Sequence, residues 1–304
     1  MKFGICLPIR LTASASENID IAVKAQGLGF DSVWVSDHIV MPEKHRGTFS
    51  EVFYEPFTLL SYISAVTTTI YLGTSVIILP YRNPVVIAKQ IATLDVLSGG
   101  RVIFGVGPGW MKEEFETLGV PLKSRGRMTD EYIKAIRELW NSDSPEFEGE
   151  FCSYSDIKFE PKPLQNPHPP ILIAGSSEHA LKRASLLGDG WQPTWVSPED
   201  VELGMSTIKQ IAKEAGRDLE GFLYSVRNRV KLFDTIAQKE EYIAGQSSDT
   251  PFSMLGTVDE ITEYVSSYRE LGVSHIVFDP VTDSVDEVYS TMKILSSGIT
   301  SYVK

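Results

Sequence analysis

The chain has 304 residues, 42% of them apolar and 22% charged, and a formal net charge of −12 at pH 7. That length can bury a large core. The acidic balance excludes sequence-independent binding to nucleic acid, yet leaves a local phosphate site open, because helix N-termini bind anions whatever the global charge.

Two cysteines, Cys6 and Cys152, build neither a disulfide framework nor a metal site, and His45, His168, His179 and His275 show no ligand spacing. No apolar stretch of about 18 residues is there to cross a membrane. Met1 to Ile5 run straight into a strand pattern without a signal-peptide pattern. The expectation is a cytoplasmic enzyme acting on a small molecule, with no membrane or nucleic-acid partner.

In chain order, Phe3 to Pro8 is a short apolar run with β character, and Glu17 to Gly29 has helical periodicity closed by glycines. Ser32 to Val35 is the second strand. Pro56 to Thr69 reads as a helix, Tyr71 to Leu79 as a β-rich run, and Pro84 to Leu97 as a helix opened by proline at its first turn. Val102 to Val106 is the fourth strand. Glu113 to Leu118 and Met128 to Asn141 are helical. From Ser142 to Pro170 six prolines break the pattern, with room for a small hairpin around Phe147 to Tyr154. Ile171 to Ala174 is the fifth strand, Glu178 to Leu187 a helix and Gly188 to Trp191 a very short sixth strand. Pro198 to Ala215 is a helix and Phe222 to Phe233 the seventh strand. Gln238 to Leu255 reads as an insertion, irregular in its second half, whose stretch Gln238 to Ser253 is either a lid or a plain loop. Thr257 to Leu271, His275 to Asp279 and Val285 to Ser296 are helix, eighth strand and last helix.

Eight β-then-α units with no flexible linker favour a single domain over residues 1–304, a (β/α)₈ TIM barrel with insertions in the βα loops. A doubly wound sheet is the competitor, but eight units is the barrel's count.

In a barrel, chemistry collects just after the C-terminal ends of the strands. Ser36-Asp37-His38 follows the second strand, where Asp37 and His38 are either a proton-handling pair or a structural hydrogen-bonded pair. Gly105 to Trp110 follows the fourth. It lacks the glycine spacing of a dinucleotide fingerprint, and Pro108 removes a backbone donor. It suits a flat ring lying close to the backbone, or simply a glycine-rich turn. Gly175-Ser176-Ser177 precedes a helix and is either an ordinary N-cap or a phosphate cradle. Glu113 and Glu114 are adjacent, so at most one can face a site. Glu114 reads as a first-turn acid serving the helix dipole, and Glu113 as a candidate polar contact.

Several segments together resemble the bacterial luciferase-like superfamily. They are Gly29 to His38, Leu72 to Val76, Asn83-Pro84 with Ala88-Lys89-Gln90, Leu94-Asp95 and Ser98 to Arg101, then Gly105 to Trp110 with Glu113 to Phe115, Pro169 to Gly175, and Gly188 to Trp191. The resemblance runs in order along nearly the whole chain and is strongest to the members presumed to use the deazaflavin coenzyme F420. It implies the same barrel. It implies that His38 and Asp37 lie beside the ring with His38 handling the proton, and that Ser75-Val76 carries a non-prolyl cis peptide backing the ring. It further implies that Gly107, Gly109 and Trp110 line the ring or substrate side, that Gly175, Ser176 and Ser177 take the phosphate, and that the protein is a homodimer.

The implied function is hydride transfer between reduced F420 and a small organic substrate, the cofactor carrying the hard chemistry. The alternative is a two-component monooxygenase using FMNH₂ and oxygen, with a separate reductase supplying the reduced flavin; a third reading is a non-catalytic flavin-binding protein. The longer acidic tail of the deazaflavin needs a basic exit path, for which Arg82, Lys123, Arg125 and Arg127 are candidates.

Overall fold

A computed structural model describes residues 1–8, 12–45, 48–246, 251–282 and 284–300. Eight parallel strands form the barrel: β1 (Lys2–Cys6), β2 (Ser32–Val35), β3 (Tyr71–Thr74), β4 (Val102–Gly107), β5 (Ile171–Ala174), β6 (Gly190–Gln192), β7 (Leu223–Leu232) and β8 (His275–Pro280). Each pairs with the next, β8 returns to β1, and β6 pairs with β7 through Gly190↔Leu223 and Trp191↔Tyr224, so the wall closes on itself. The (β/α)₈ barrel expected from the alternation is the observed fold. Most of its strands are apolar runs because both faces are covered, inside by barrel side chains and outside by helices; β7 and β8 carry buried polar residues as well.

The helices are α1 (Ala15–Gly27), α2 (Pro56–Val66), α3 (Pro84–Ser98), α4 (Lys112–Thr117), α5 (Arg125–Asn141), α6 (Glu178–Leu187), α7 (Pro198–Glu214), α8 (Ile236–Ala244), α9 (Val258–Leu271) and α10 (Val285–Leu295). Their starts are written locally: Ser14 with Glu17, Ser197 with Asp200 and Thr257 with Glu260 close capping boxes. Gly99, at φ +72°, ends α3 in the left-handed conformation that glycine adopts without steric cost.

The large outer core lies between strands and helices, and a small inner one (Cys6, Trp34, Ile103, Leu172, Val277) fills the barrel. Trp34 occupies space that Gly73 leaves free: a Cβ at Gly73 would stand 2.3 Å from the indole ring. At the N-terminal end of the barrel, the Trp34 indole N–H donates to Ser32 Oγ at 2.7 Å, and Ser32 Oγ lies 2.8 Å from His275 Nε2.

Two segments differ from their sequence reading. The β-rich run Tyr71 to Leu79 is interrupted: β3 stops at Thr74, Ser75-Val76 is a cis peptide, and Ile77–Ile78 pairs separately with β4. The stretch Gln238 to Leu255 is more regular than its polar composition suggests. Thr235 and Gln238 form a capping box that starts α8, and Ser253–Gly256 adds a parallel strand outside β7. The lid reading of 238–253 falls partly on residues 247–250, which lie outside the described residues. The proline-rich excursion does carry its hairpin, Phe147–Glu148 against Ser153–Tyr154. Among the described residues no helix is long and apolar enough to cross a membrane, and no cluster of His, Cys, Asp and Glu suits a metal.

Candidate active site

The C-terminal mouth of the barrel brings the expected residues together. The chain leaves β2 through Ser36, Asp37 and His38. Asp37 is buried, and both its oxygens are taken: Arg82 Nη1 and Nη2 donate to Oδ2 and Oδ1 at 2.6 and 2.8 Å, and the Ile78 amide donates to Oδ2 at 3.0 Å. Arg82 also reaches Glu55 at 3.2 Å. Burial works against the Arg82 charge, but Asp37 outweighs it and holds the guanidinium above its ordinary pKa. The bidentate fork ties the loop after β2 to the segment after β3. Arg82, a candidate for the basic exit path, is committed here instead.

His38 has a partner that the sequence reading set aside. Its Nδ1 lies 2.8 Å from Glu114 Oε2, and the Glu114 side chain is fully buried. Glu114 Oε1 accepts from the amides of Ile39 and Val40 at 2.8 and 3.3 Å, and Tyr81 donates to Oε2 at 3.1 Å. Burial pushes the Glu114 carboxyl up. The hydrogen bond and charge of His38 and the two amides outweigh it and leave the group below the usual carboxylate range. An ionised Glu114 places the proton of neutral His38 on Nδ1, leaving Nε2 free to accept or, once protonated, to donate.

The first-turn reading of Glu114 is therefore corrected, while Glu113 pairs through Oε1 with Lys44 on the rim at 2.6 Å and keeps a buried Oε2 without a hydrogen-bond partner among the described residues. The usable signal was the stripe Met111, Glu114, Phe115, Leu118, spaced i, i+3, i+4, i+7, which puts Glu114 on the inward face.

Ser75 and Val76 form the cis peptide expected of them. The Ser75 carbonyl accepts from Arg227 Nη1 at 2.6 Å and from Ser36 Oγ at 3.1 Å. Arg227, on β7, also donates through Nη2 to Asp279 Oδ2 on β8 at 2.9 Å. Burial opposes the Arg227 charge, and Asp279 overcomes that and raises its pKa. Beneath lies Cys6, whose thiol burial pushes up to about 12, so it stays protonated. Neither Arg227 nor Asp279 was singled out from sequence; they belong to strands read only for their apolar pattern. Ser75 Oγ, buried, has no hydrogen-bond partner within the protein.

Gly107 stands beside the cis peptide, where a Cβ would approach Val76 Cγ2 to 3.0 Å. Gly109 has φ +75°, and a Cβ there would meet Ile78 at 2.6 Å. Trp110 projects outward, 56% exposed, and with Phe49 and Phe53 surrounds the imidazole. Ring centroids of His38 lie 4.9 Å from Phe53, 6.0 Å from Phe49 and 6.5 Å from Trp110.

Gly175 takes φ +97°, Ser176 is exposed and Ser177 caps α6, accepting from the Ala180 amide at 3.3 Å. Both readings of this loop, cap and anion cradle, fit that geometry. Gly175 and Ser177 open onto a groove of about 650 Å³ whose walls carry Lys123, Arg125, Arg127, Lys134, Lys182 and Arg183. Arg127 pairs with Glu150 and Arg183 with Asp130. Lys123, Lys134 and Lys182 are exposed and make no ion pair among the described residues. Three of the four exit-path candidates thus line this groove, and Lys134 and Lys182 join them.

Comparison with known proteins agrees with the geometry. The luciferase-like monooxygenase family model matches residues 1–253. An F420-dependent glucose-6-phosphate dehydrogenase of Amycolatopsis mediterranei is 34% identical over 220 residues, 70% of this chain and 63% of that one. An FMNH₂-dependent dimethylsulfone monooxygenase of Pseudomonas putida is 36% identical over 137 residues, 44% of this chain and 38% of that one. The solved structure of an F420-dependent secondary alcohol dehydrogenase in complex with an F420-acetone adduct superposes with a TM-score of 0.82 at 20% identity, covering 98% of both chains, a likeness of fold. The chain belongs to the luciferase-like monooxygenase family and is an oxidoreductase of that family.

Proposed function

We propose that this enzyme binds the deazaflavin coenzyme F420 and transfers hydride between it and a small organic substrate. The observation that carries the reading is the groove running on from Gly175 and Ser177, with three lysines that make no ion pair among the described residues. FMN ends at its phosphate and needs only the cradle, whereas the longer acidic tail of the deazaflavin needs cations beyond it.

The ring end fits as well. Ser75 Oγ is a buried polar atom that lacks a partner within the protein, and Gly107 beside Val76 leaves room for a flat group. When bound, the coenzyme supplies the hydride acceptor or donor. Arg227 and Ser36 hold the Ser75 carbonyl, and so the cis peptide, in place. His38 Nε2 takes the proton from a substrate hydroxyl or returns it to a carbonyl, and Glu114 fixes the imidazole and stabilises its protonated form. Asp37, with both oxygens engaged, acts as a positioning residue for that loop.

The second reading, a monooxygenase fed with FMNH₂ by a separate reductase, is favoured by the dimethylsulfone monooxygenase relative. Titration of the purified protein with F420 and, separately, with FMN, followed by cofactor fluorescence at fixed salt, separates the two. Tight F420 binding with FMN much weaker supports hydride transfer. The reverse preference overturns it in favour of the monooxygenase.

A homodimer is part of the proposal. Tyr62 and Val66 on α2, and Val86 and Leu97 on the neighbouring α3, are exposed apolar side chains that such an interface would cover. Light scattering tests it, a monomer mass being the contrary result. The cytoplasm is the location proposed.

A further inference from the structure

Resting on that reading of the site, we propose that its substrate is uncharged and apolar, an alicyclic or aromatic alcohol or ketone, and that it excludes sugar phosphates and carboxylates.

The walls around His38 are aromatic. Phe49, Phe53 and Trp195 pack over the inner barrel cluster, and Trp110 closes the outer side. Ile39, Val40 and Val52, on the same loop as His38, Phe49 and Phe53, are exposed although apolar. Apolar side chains held open beside a catalytic histidine gain from a ligand that removes them from water. Aromatic faces and edges add directional contacts to a ring of the substrate.

The charges of the mouth are engaged with one another. Asp37 and Glu55 share Arg82; Arg227 is paired with Asp279; Glu114 is held by His38, Tyr81 and two amides; and the Arg229 guanidinium stacks on Trp195 at 4.1 Å. An anionic group entering beside His38 would lose its water and find Arg82 and Arg227 already committed to carboxylates, which is unfavourable. Lys123, Lys134 and Lys182 line the other groove, beside Gly175. One polar group on the substrate is still accommodated, because His38 Nε2 is open to a single hydroxyl or carbonyl oxygen. The site therefore divides its labour: anions at the groove, a neutral ring at the mouth.

The test titrates the F420-loaded protein, and in parallel the protein without cofactor, with cyclohexanone and with glucose 6-phosphate, following tryptophan fluorescence. Cyclohexanone is expected to bind at least about tenfold tighter than glucose 6-phosphate, and Phe53→Ala and Trp110→Ala each to weaken it about tenfold. Cofactor affinity in Phe53→Ala, and the thermal midpoint of both variants, should stay near the parent values. Tighter binding of glucose 6-phosphate, or cyclohexanone binding untouched by both variants, overturns the substrate class. Failure of the cofactor to bind is read separately, in the cofactor titration. It would remove the proposed hydride transfer, while cyclohexanone binding by the cofactor-free protein, and its weakening by Phe53→Ala and Trp110→Ala, still tests the apolar mouth.

Discussion

Glu114 Oε2 lies 2.8 Å from His38 Nδ1 across 76 positions of sequence, and the carboxylate is fully buried. Replacing it with glutamine keeps the volume but sets an NH₂ group against donors it cannot satisfy, whether the amides of Ile39 and Val40 or the hydroxyl of Tyr81. Glu114→Gln should lower kcat by about 10- to 100-fold through misorientation of His38, with KM changing much less. His38→Ala should lose more. Steady-state kinetics of both variants checks the order; a Glu114→Gln enzyme with parental kcat would remove the dyad from the mechanism.

The same carboxylate makes stability depend on pH. Its folded pKa is depressed below the ordinary 4.5, so the folded state favours the ionised form. That contribution is fully present above the unfolded value and is lost as pH falls through the lowered folded one. Denaturation midpoints of parent and Glu114→Gln, measured from neutral pH downward, should converge in the acid range. A constant gap across that range would contradict the shift.

His275 works in the opposite chemical sense, at the other end of the barrel. Burial drives its pKa from 6.5 down to about 4. The geometry is compatible with a neutral ring: Ser32 Oγ accepts from Trp34 and lies 2.8 Å from His275 Nε2, to which its own proton can be directed. Between these two values the unfolded chain binds a proton that the folded one refuses, so stability falls as pH drops from 6.5 and levels off below about 4, by roughly 3 kcal/mol in all. His275→Gln should flatten that stretch of the stability curve while lowering stability at neutral pH. Urea unfolding at a series of pH values is the measurement, and an unchanged slope in the variant would assign the acid loss elsewhere.

The fold was legible because parallel barrel strands are buried on both faces and so read as short apolar runs, each followed by a capped amphipathic helix. The cis Ser75-Val76 peptide was reached through the family resemblance rather than through the residues themselves. What escaped was pairing at a distance. Arg227 and Asp279 are 52 residues apart on neighbouring strands, and only closure of the barrel puts them in contact. Glu114 was misread because first-turn acids are common for electrostatic reasons alone. Arg82 looked available for an anionic tail until the turn after β3 folded it onto Asp37.

The lysine groove yields a salt-dependent prediction. Exposed cations contribute little singly, about 0.5 kcal/mol each, so three together amount to roughly tenfold in affinity at low salt. The triple variant Lys123→Gln, Lys134→Gln, Lys182→Gln should weaken F420 by about that factor, flatten the decline of its affinity with added salt, and leave FMN affinity nearly unchanged. Fluorescence titration at two ionic strengths reads all three quantities. Equal loss for both cofactors would place the lysines at the shared phosphate rather than along a tail.

Arg227 joins two roles that substitution can separate. With Asp279 it forms a buried ion pair, and through Nη1 it holds the Ser75 carbonyl. Arg227→Met leaves Asp279 buried and uncompensated, which should destabilise the fold by about 3–5 kcal/mol. Adding Asp279→Leu removes the orphaned charge, so the double variant should recover most of that loss, since apolar groups of similar volume often replace a buried pair without penalty. The cofactor face behaves differently. Neither variant restores the guanidinium donor to the Ser75 carbonyl, which keeps only Ser36 Oγ, so F420 or FMN affinity should stay reduced in the stable double variant. Unfolding midpoints and cofactor titration on the same three proteins, parent and both variants, distinguish the roles. Recovery of affinity together with stability would mean that the guanidinium serves the barrel alone, and that the cis peptide keeps its place without it.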